Sequence, residues 1–456
     1  MTRSAMALTL LLRGRRTTQA VLPDHAADRG GPPERRGSGA PGLRCAGGPA
    51  RPGSPARQNG SVHTLTAWRN AVFATFFAMG LGYASWMARV PHVRDVLDIS
   101  TGEMGMILLG ISIGSVTGLL LASHIIHAVG TRLVVSFGMI AVSGGLALAG
   151  WAADAGQAWL VIAGFIVGGS LTGVTDVAMN ISGAANERRL GKPIMPLFHA
   201  SFSFGTVAGA GLGGLCELLG IGLGWQATSI AVLTIALGFV VHRHLPADTV
   251  EEHEEPVTLR ERLAVWKDPR TLLLGLLVLG MSLTEGSAND WLALVMVDGH
   301  GFSKEGGAFM LALFLTAMTG GRLLGVGMLA RFGRVPVLRA TAACAAAGLL
   351  LVIFADASWL VVAGVLLWGF GASLGFPVGM SAAADEPRMA AARVGTVSAI
   401  GYIAFLAGPP LLGLLGDLVG LRNALLAVLV FVVLSLVTSH VARERVSPAT
   451  PQEVAS

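Results

Sequence analysis

Twelve apolar segments, each of about 19 residues or more, fill most of the sequence after residue 67. A helix of this length crosses the roughly 30 Å hydrocarbon core of a bilayer. The segments lack the alternation of apolar and polar residues that typifies the strands of a membrane barrel. They cover residues 67–88, 104–126, 133–153, 158–181, 197–219, 225–245, 271–297, 307–330, 335–355, 358–381, 394–416 and 422–440. The sequence therefore predicts an all-α protein with twelve transmembrane helices in a lipid bilayer.

The low charge of the chain supports this prediction. Charged residues make up 13% of the sequence and apolar residues 53%, whereas about a quarter of the residues in a soluble domain are charged. Such a chain cannot cover a water-facing surface, which excludes a soluble enzyme, a disordered protein and a nucleic-acid-binding module. The net charge of +5 comes largely from the N-terminal tail and from short loops, so no nucleic-acid partner is expected.

Lysine and arginine are distributed unequally between the junctions that connect the apolar segments. Leaving out the N-terminal tail with Arg69, and Arg322 within a segment, the odd-numbered junctions carry four: Arg89, Arg94, Lys304 and Arg422. The even-numbered junctions and the C-terminus carry sixteen: Arg132, Arg188, Arg189, Lys192, Arg243, Arg260, Arg262, Lys267, Arg270, Arg331, Arg334, Arg339, Arg388, Arg393, Arg443 and Arg445. Because positive residues remain on the cytoplasmic side, we expect a multi-pass protein of the inner membrane with both termini in the cytoplasm.

Two segments outside the apolar helices have their own composition. Residues 1–62 contain ten Arg, ten Gly and seven Pro with three acids, which predicts a disordered basic tail. A start codon assigned too early, with the protein beginning near Val62, explains this tail as well. Residues 246–270 form a cytoplasmic linker, in which Thr258 and Glu261 have the spacing of a capping box that begins a short amphipathic helix.

The two halves of the chain resemble each other at a nearly constant offset of 200 or 203 residues. The aligned pairs include Trp159 and Trp359, Glu217 and Asp417, Gly220 and Gly420, Ser100 and Ser303, and Gly130 and Gly333. Each half has six segments, so both halves enter and leave on the same side and the repeats are parallel. Parallel repeats are related by an axis along the membrane normal, with a central cavity between them. The predicted units are residues 67–245, residues 271–440 and a cytoplasmic tail over 441–456.

Several local sequences resemble those of the major facilitator superfamily. In the junction between the second and third segments, Gly130 and Arg132 match its loop signature, but Ser123 and His127 replace the usual Gly and Asp. Three further runs are Asp176-Val177-Ala178-Met179-Asn180, Phe198-His199-Ala200-Ser201-Phe202-Ser203 and Glu285-Gly286-Ser287-Ala288-Asn289-Asp290-Trp291. These runs are similar to the fucose-permease-like, sugar-type branch. The resemblance implies two six-helix halves that move a small-molecule solute by alternating access, without a cofactor.

Ionisable residues inside the apolar segments are the candidate site residues, because placing one in hydrocarbon costs several kcal/mol. Glu285 lies near the middle of the seventh segment, with Asn289 one helical turn further on and Asp290 beside it. We expect Glu285 to carry protons, and Asn289 and Asp290 to contact the substrate. The alternative is a Glu285 that only hydrogen-bonds a neighbouring helix, but neutral residues usually form such packing bonds.

Asp176 and Asn180 repeat this i, i+4 arrangement in the fourth segment. We expect Asp176 to be a second proton carrier and Asn180 to contact the substrate. Arg322 lies at a similar depth in the eighth segment. A charge pair between Asp176 and Arg322 across the halves would break in one conformation and act as a gate. Pairing of each residue elsewhere is equally compatible with the sequence. His199, near the start of the fifth segment, is either a proton shuttle at this gate or a helix-end residue facing headgroups.

Aromatic residues complete the predicted site. Trp86 and Trp291 occupy nearly equivalent places at the ends of the first and seventh segments. They either stack on a sugar ring or belong to an interfacial aromatic belt with Trp151, Trp159, Trp225 and Trp359, and the belt is favoured. Tyr83 is expected to hydrogen-bond a hydroxylated substrate.

The sequence favours a secondary active transporter that moves a small hydrophilic solute, such as a sugar, together with protons. No phosphate-binding loop is present, so an ion gradient or the gradient of the solute must drive transport. Efflux of a drug or metabolite in exchange for protons is the alternative, because such antiporters also carry membrane-embedded acids. A non-transporting receptor or scaffold is the alternative of another class. No metal, cofactor or enzymatic activity is predicted, and a monomer is expected.

Overall fold

The computed structural model describes residues 55–192, 194–247, 264–386 and 389–444. The regular structure in these ranges is helical. The helices are α1 (Pro55–Met87), α2 (Val90–Leu97), α3 (Thr101–Val129), α4 (Thr131–Asp154), α5 (Ala158–Leu190), α6 (Met195–Leu218), α7 (Leu223–His244), α8 (Pro269–His300), α9 (Lys304–Phe332), α10 (Arg334–Phe354), α11 (Ser358–Ala372), α12 (Gly375–Ala383), α13 (Ala390–Val419) and α14 (Leu421–Thr438), followed by a 3₁₀ turn (Ser439–Ala442).

Each predicted segment contains a helix. Ten spans in the described ranges are long and apolar enough to cross a membrane, one of them formed by α11 and α12 together, and the bent pair Thr64–Met87 and Val90–Leu97 makes an eleventh. The remaining helix, α6, is of spanning length but is rich in Gly, Ser and Ala, which lowers its hydropathy. The predicted architecture of twelve transmembrane helices is confirmed.

The repeat extends to the ends of the helices. Ser100 begins α3 with a capping box, in which its hydroxyl accepts from the Glu103 main chain and Glu103 accepts from the Ser100 main chain. Ser303 caps α9 in the same way with its hydroxyl. Gly130 and Gly333, which end α3 and α9, have φ of 85° and 77°, a region that favours glycine. The aligned halves therefore share helix starts and stops as well as hydropathy.

Helix packing divides the membrane domain into two halves. In the first half α1 packs on α6, and α5 packs on α3 and α4; in the second half α8 packs on α13 and α14, and α10 packs on α11. The halves meet along two seams, α6 with α9 and α3 with α13. Helices α1 and α6 approach each other closely at Gly209, where an added side chain would collide with the Leu81 carbonyl oxygen. Small residues allow such close approach between helices in lipid.

Several predictions fall on residues that the structure does not describe. Residues 1–54 of the predicted tail, the capping box at Thr258 and Glu261, and residues 445–456 lie outside the described ranges. Residues 55–62, which we assigned to the tail, form the first turns of α1.

Candidate functional site

A cavity of about 350 Å³ lies between the two halves. Its volume is within the range of about 300–1,000 Å³ that is typical of ligand pockets. The first half forms most of the wall through α1, α3, α4, α5 and α6, and the second half contributes α13 and one residue of α8. Most of the lining side chains are aliphatic or aromatic, and the hydroxyl-bearing ones besides tyrosine are Ser112, Ser115 and Thr172. The predicted central cavity is therefore present.

Four residues with ionisable side chains line this cavity, and all of them are acids or phenols: Tyr83, Asp176, Asp290 and Tyr402. The Asn180 amide donates to the Asp176 carboxylate at 3.3 Å and to its carbonyl oxygen at 2.8 Å, one helical turn away. Asn180 does not itself line the cavity, and its side-chain hydrogen bonds are both to Asp176. The Asp290 side chain makes no hydrogen bond or ion pair with any described residue.

Glu285 lies outside the lining of the cavity and is paired within its own half. Both of its carboxylate oxygens accept from Nη2 of Arg322, at 3.0 and 3.1 Å. Arg322 also donates to the Ser203 hydroxyl of the first half at 3.2 Å and to the Ser373 carbonyl at 3.4 Å. The predicted gate between Asp176 and Arg322 is not formed in this conformation, because Glu285 on the adjacent helix α8 neutralises the guanidinium.

Two other predicted residues lie away from the cavity. His199 is exposed at the start of α6, where its ring contacts the edge of Phe76 at a centroid distance of 5.2 Å. Asn289 is half-buried and does not line the cavity. Direct substrate contact by Asn289 therefore does not fit this conformation, in which the neighbouring Asp290 faces the cavity instead.

The two tryptophans predicted to stack on a sugar are buried in the core. Trp86 is 1% exposed and meets Phe165 edge-on at 4.5 Å, and Trp291 is fully buried against the glycine surface of α13 at Gly413. Neither lines the cavity or faces lipid, so neither interpretation fits them. The four remaining tryptophans of the predicted aromatic belt are 42–71% exposed at helix ends, as such a belt requires: Trp151, Trp159, Trp225 and Trp359.

At the end of the bundle that contains the odd-numbered junctions, polar contacts join the halves. Asp417 of α13 accepts from the Ser100 hydroxyl at 3.0 Å, the Thr101 hydroxyl at 2.7 Å and the Gly102 main chain at 2.9 Å. A carboxylate at the N-terminus of α3 also interacts favourably with the helix dipole. Two ion pairs, Arg94 with Asp298 and Lys304 with Asp95, lie at the same end. We call these five contacts the odd-end clasp.

Deeper in the bundle, α3 and α13 remain in contact through main-chain atoms. Gly105 lies against Pro409, whose carbonyl oxygen would be 2.7 Å from a side-chain carbon placed at Gly105. The Ser112 hydroxyl then donates to the Phe405 carbonyl at 2.6 Å. The lining of the cavity on α3 extends from Leu108 to Leu119, so the odd-end clasp closes the cavity at that end.

At the opposite end, the ion pairs of Arg270, Arg334 and Arg393 lie within the second half. Arg270 and Arg334 both bind Asp385, at 3.0 and 2.6 Å. Asp268 caps α8, accepts from the Thr271 hydroxyl at 2.7 Å and pairs with Arg393 at 3.5 Å. Burial alone would raise the pKa of the Asp268 carboxyl, but the Thr271 hydrogen bond and the Arg393 charge hold it below its ordinary value. These contacts therefore stabilise the second half.

Comparison with known proteins identifies the family. A family model described as Major Facilitator Superfamily matches residues 71–328 and 287–455. The chain belongs to the major facilitator superfamily. An uncharacterized transporter of this type from Yersinia pestis is 33% identical over 352 residues, which cover 76% of this chain and 89% of that protein. The predicted superfamily is confirmed.

Solved structures of superfamily members share the fold. The nucleoside transporter NupG has a TM-score of 0.67 at 15% identity, covering 82% of this chain and 98% of the other. FucP in the outward conformation has a TM-score of 0.59 at 15% identity, covering 83% of this chain and 100% of the other. Membership of the superfamily, which the family model shows, makes the chain a multi-pass membrane transporter for small-molecule solutes.

Sequence reasoning missed part of the transporter cavity. Tyr402 was not singled out, although the chain has two tyrosines and both line the cavity. Ser112 and Phe405, which join α3 to α13, were also missed. Tyr402 could have been recognised from the sequence, because the hydroxyl of a tyrosine inside an apolar segment needs a hydrogen-bonding partner.

Proposed function

We propose that the chain is a proton-coupled secondary transporter, in which Asp176 and Asp290 exchange protons while the halves alternate around the cavity. The observation that carries the proposal is the pair of carboxylates, from different halves, in the wall of a cavity without a basic lining residue. Burying an unpaired carboxylate is costly, and taking up a proton removes that cost. Coupling follows if protonation and solute binding occur at the same wall.

The proposal assigns Glu285 a different role from the one expected from the sequence. With Arg322 it forms a neutral pair that joins α8 to α9, and Arg322 extends this pair to Ser203 of the other half. Glu285 therefore fixes the position of α8, on which Asp290 lies one turn further along. If the termini face the cytoplasm as expected, the closed odd-junction end makes this an inward-facing conformation.

The test uses purified protein in proteoliposomes that contain a pH-sensitive dye. Solutes are added under an imposed pH gradient, and the solute-dependent proton flux is measured for wild type, Asp176→Asn and Asp290→Asn. We expect each substitution to lower the flux at least tenfold. Asp356→Asn, which removes a charge from a 90% exposed side chain, is the matched control and should leave the flux unchanged. Full proton flux in both cavity variants would refute the proposal.

Efflux is the second candidate, favoured by the largely apolar wall that residues such as Leu108, Phe165 and Phe405 provide. Inverted vesicles with an imposed pH gradient distinguish the two directions. A symporter accumulates solute in the direction of proton flow, whereas an exporter moves it against that flow. A non-transporting receptor would bind solute without counterflow, and its response would not depend on Asp176 or Asp290.

A further inference from the structure

We propose that the solute is a compact organic cation, an amine with an apolar or ring-shaped body. This inference rests on the proposed function and specifies the substrate class of the same cavity. The ionisable groups in the cavity wall are two carboxylates and two phenols, and no lysine, arginine or histidine is among the lining residues. A cavity with this lining attracts positive charge and repels anions.

Two arginines near the helix cores, Arg322 and Arg89, are already neutralised by other acids. Arg322 is bound to Glu285 at 3.0 Å. Arg89 is 1% exposed and bound to Glu217 at 2.5 Å, and it also donates to the Gln226 side chain at 2.7 Å. Neither guanidinium is available to balance Asp176 or Asp290. The charge of the two cavity carboxylates must therefore be balanced by a proton or by the solute.

Adjacent prolines remove two main-chain donors from α13, a helix that contributes to the same wall. Pro409 and Pro410 lie inside α13 and cannot donate the helical hydrogen bonds to the carbonyl oxygens of Phe405 and Leu406. Ser112 of the other half donates to the Phe405 carbonyl at 2.6 Å. Leu406 is also a lining residue of the cavity. A solute with N–H donors that reached its carbonyl oxygen would replace the missing helical donor, whereas a carboxylate or phosphate would not.

Aromatic faces suit the body of such a solute. Phe165, Phe202 and Phe405 line the cavity together with both tyrosines. An ammonium group near an aromatic ring is attracted to the ring face by the cation–π interaction. Aliphatic side chains complete the wall, so an amine with few hydroxyl groups matches the lining better than a sugar does.

Binding and proton exchange then take place at the same carboxylate. When the ammonium group of the solute binds to protonated Asp290, the carboxyl O–H bond breaks and the proton leaves to water. The carboxylate then pairs with the ammonium, and the total charge of the cavity is unchanged. The release of one proton for each bound cation links the solute to the proton gradient by exchange, which is the direction of the efflux candidate.

The test compares amines with neutral molecules of nearly the same shape. Phenethylamine is paired with 2-phenylethanol, and glucosamine with glucose. Binding of each compound to the purified full chain is measured by thermal shift and by competition between the two members of a pair. We expect at least one amine to bind ten times more tightly than its neutral partner, a difference of about 1.4 kcal/mol. Equal or tighter binding of the neutral molecules, or binding of neither amine, overturns the inference.

Three variants test whether the preference for amines depends on residues in the wall of the cavity. Asp290→Asn should lower amine affinity at least tenfold and leave that of any neutral ligand unchanged, whereas Asp290→Glu should retain most of it. Pro410→Ala returns a main-chain donor to the Leu406 carbonyl and should lower amine affinity two- to threefold in a protein that is at least as stable. An unchanged amine affinity in both Asp290→Asn and Pro410→Ala refutes the site. Asp356→Asn is again the control.

The outcomes separate this inference from the proposed function. If neutral solutes drive proton flux through Asp176 and Asp290 and the amines do not, the substrate class is wrong and proton-coupled transport stands. If an amine binds through Asp290 but no solute moves protons in proteoliposomes, the proposed transport function fails while the cation site stands.

Discussion

Glu217 and Asp417 occupy equivalent positions in the two repeats, yet they join different parts of the molecule. Glu217 stays within the first half, where it binds the buried Arg89 and also contacts His92 at 3.4 Å. Asp417 crosses to the other half and accepts three hydrogen bonds at the start of α3. The same position in the repeat therefore stabilises one half in the first case and holds the two halves together in the second.

This difference shows how a parallel repeat acquires a direction. An exactly symmetric protein would close the α6–α9 seam and the α3–α13 seam in the same way. Here Glu217 is neutralised by Arg89 of its own half. Its equivalent, Asp417, contributes its carboxylate to the α3–α13 seam instead. Four substitutions test this distinction between contacts within a half and contacts between halves.

The largest effect is expected for Glu217→Gln, because it leaves the 1% exposed Arg89 guanidinium without its charge partner. Breaking a buried pair in this way costs about 3 kcal/mol or more. Thermal unfolding in detergent should show a clearly lowered Tm, whereas labelling of the cavity from outside should not increase. A stable protein with an opened odd-junction end would contradict the assignment of Glu217 to its own half.

Asp417→Asn should have the opposite pattern. The amide keeps the size of the side chain but loses the charge that binds the start of α3, at a cost of about 1.5 kcal/mol. We expect roughly tenfold faster labelling of Leu108→Cys by a membrane-impermeant thiol reagent in right-side-out vesicles, with the three native cysteines replaced by alanine. The Tm should fall less than in Glu217→Gln. An unchanged labelling rate would show that Asp417 does not hold the odd-junction end closed.

Asp268→Ala tests a contact within one half at the other end. Loss of this N-cap should lower the free energy of unfolding by about 1 kcal/mol and leave Leu108→Cys labelling unchanged. Because the folded pKa of Asp268 is depressed, its contribution is present above the unfolded pKa of about 3.9 and is lost as pH falls through the folded value. Wild type and variant should therefore approach equal stability below about pH 4, and a constant difference would contradict this.

Arg94→Gln is expected to have the smallest effect. Arg94 pairs with Asp298 across the halves and with Asp95 on its own helix, in a region where exposed pairs contribute about 0.5 kcal/mol. Labelling of Leu108→Cys should rise about twofold and should fall back in high salt. An effect as large as that of Asp417→Asn would make the ion pairs the main part of the odd-end clasp.

The helices could be predicted from the sequence, because a run of apolar residues as long as the hydrocarbon core leaves few alternatives. The same uniform hydropathy hides which face of each helix points inward. Glu285 and Arg322 were both recognised as costly, but their pairing depends on the rotation of α8 and α9, which the pattern does not define. Asp176 and Asp290, which the sequence also marks as costly, line the cavity, and the roles assigned to them from the sequence stay predictions.

Arg89 shows a second limit of the sequence. It was counted among the arginines of the odd-numbered junctions, but it is buried between helix ends and held by Glu217, Gln226 and the Ile221 carbonyl. The two helices α1 and α2 are bent by 44° relative to each other at this point. No hydropathy window distinguishes such a buried arginine from one in a loop, because its partners are more than 120 residues away in the chain.

The scarcity of tyrosine has a practical consequence. The chain has two tyrosines, and each stands in the wall of the cavity, one from each half. Biosynthetic replacement of tyrosine by fluorotyrosine would thus place one magnetic-resonance reporter on each side of the solute pathway, without any engineered substitution. Two fluorine signals would then follow both walls at once as the protein changes conformation.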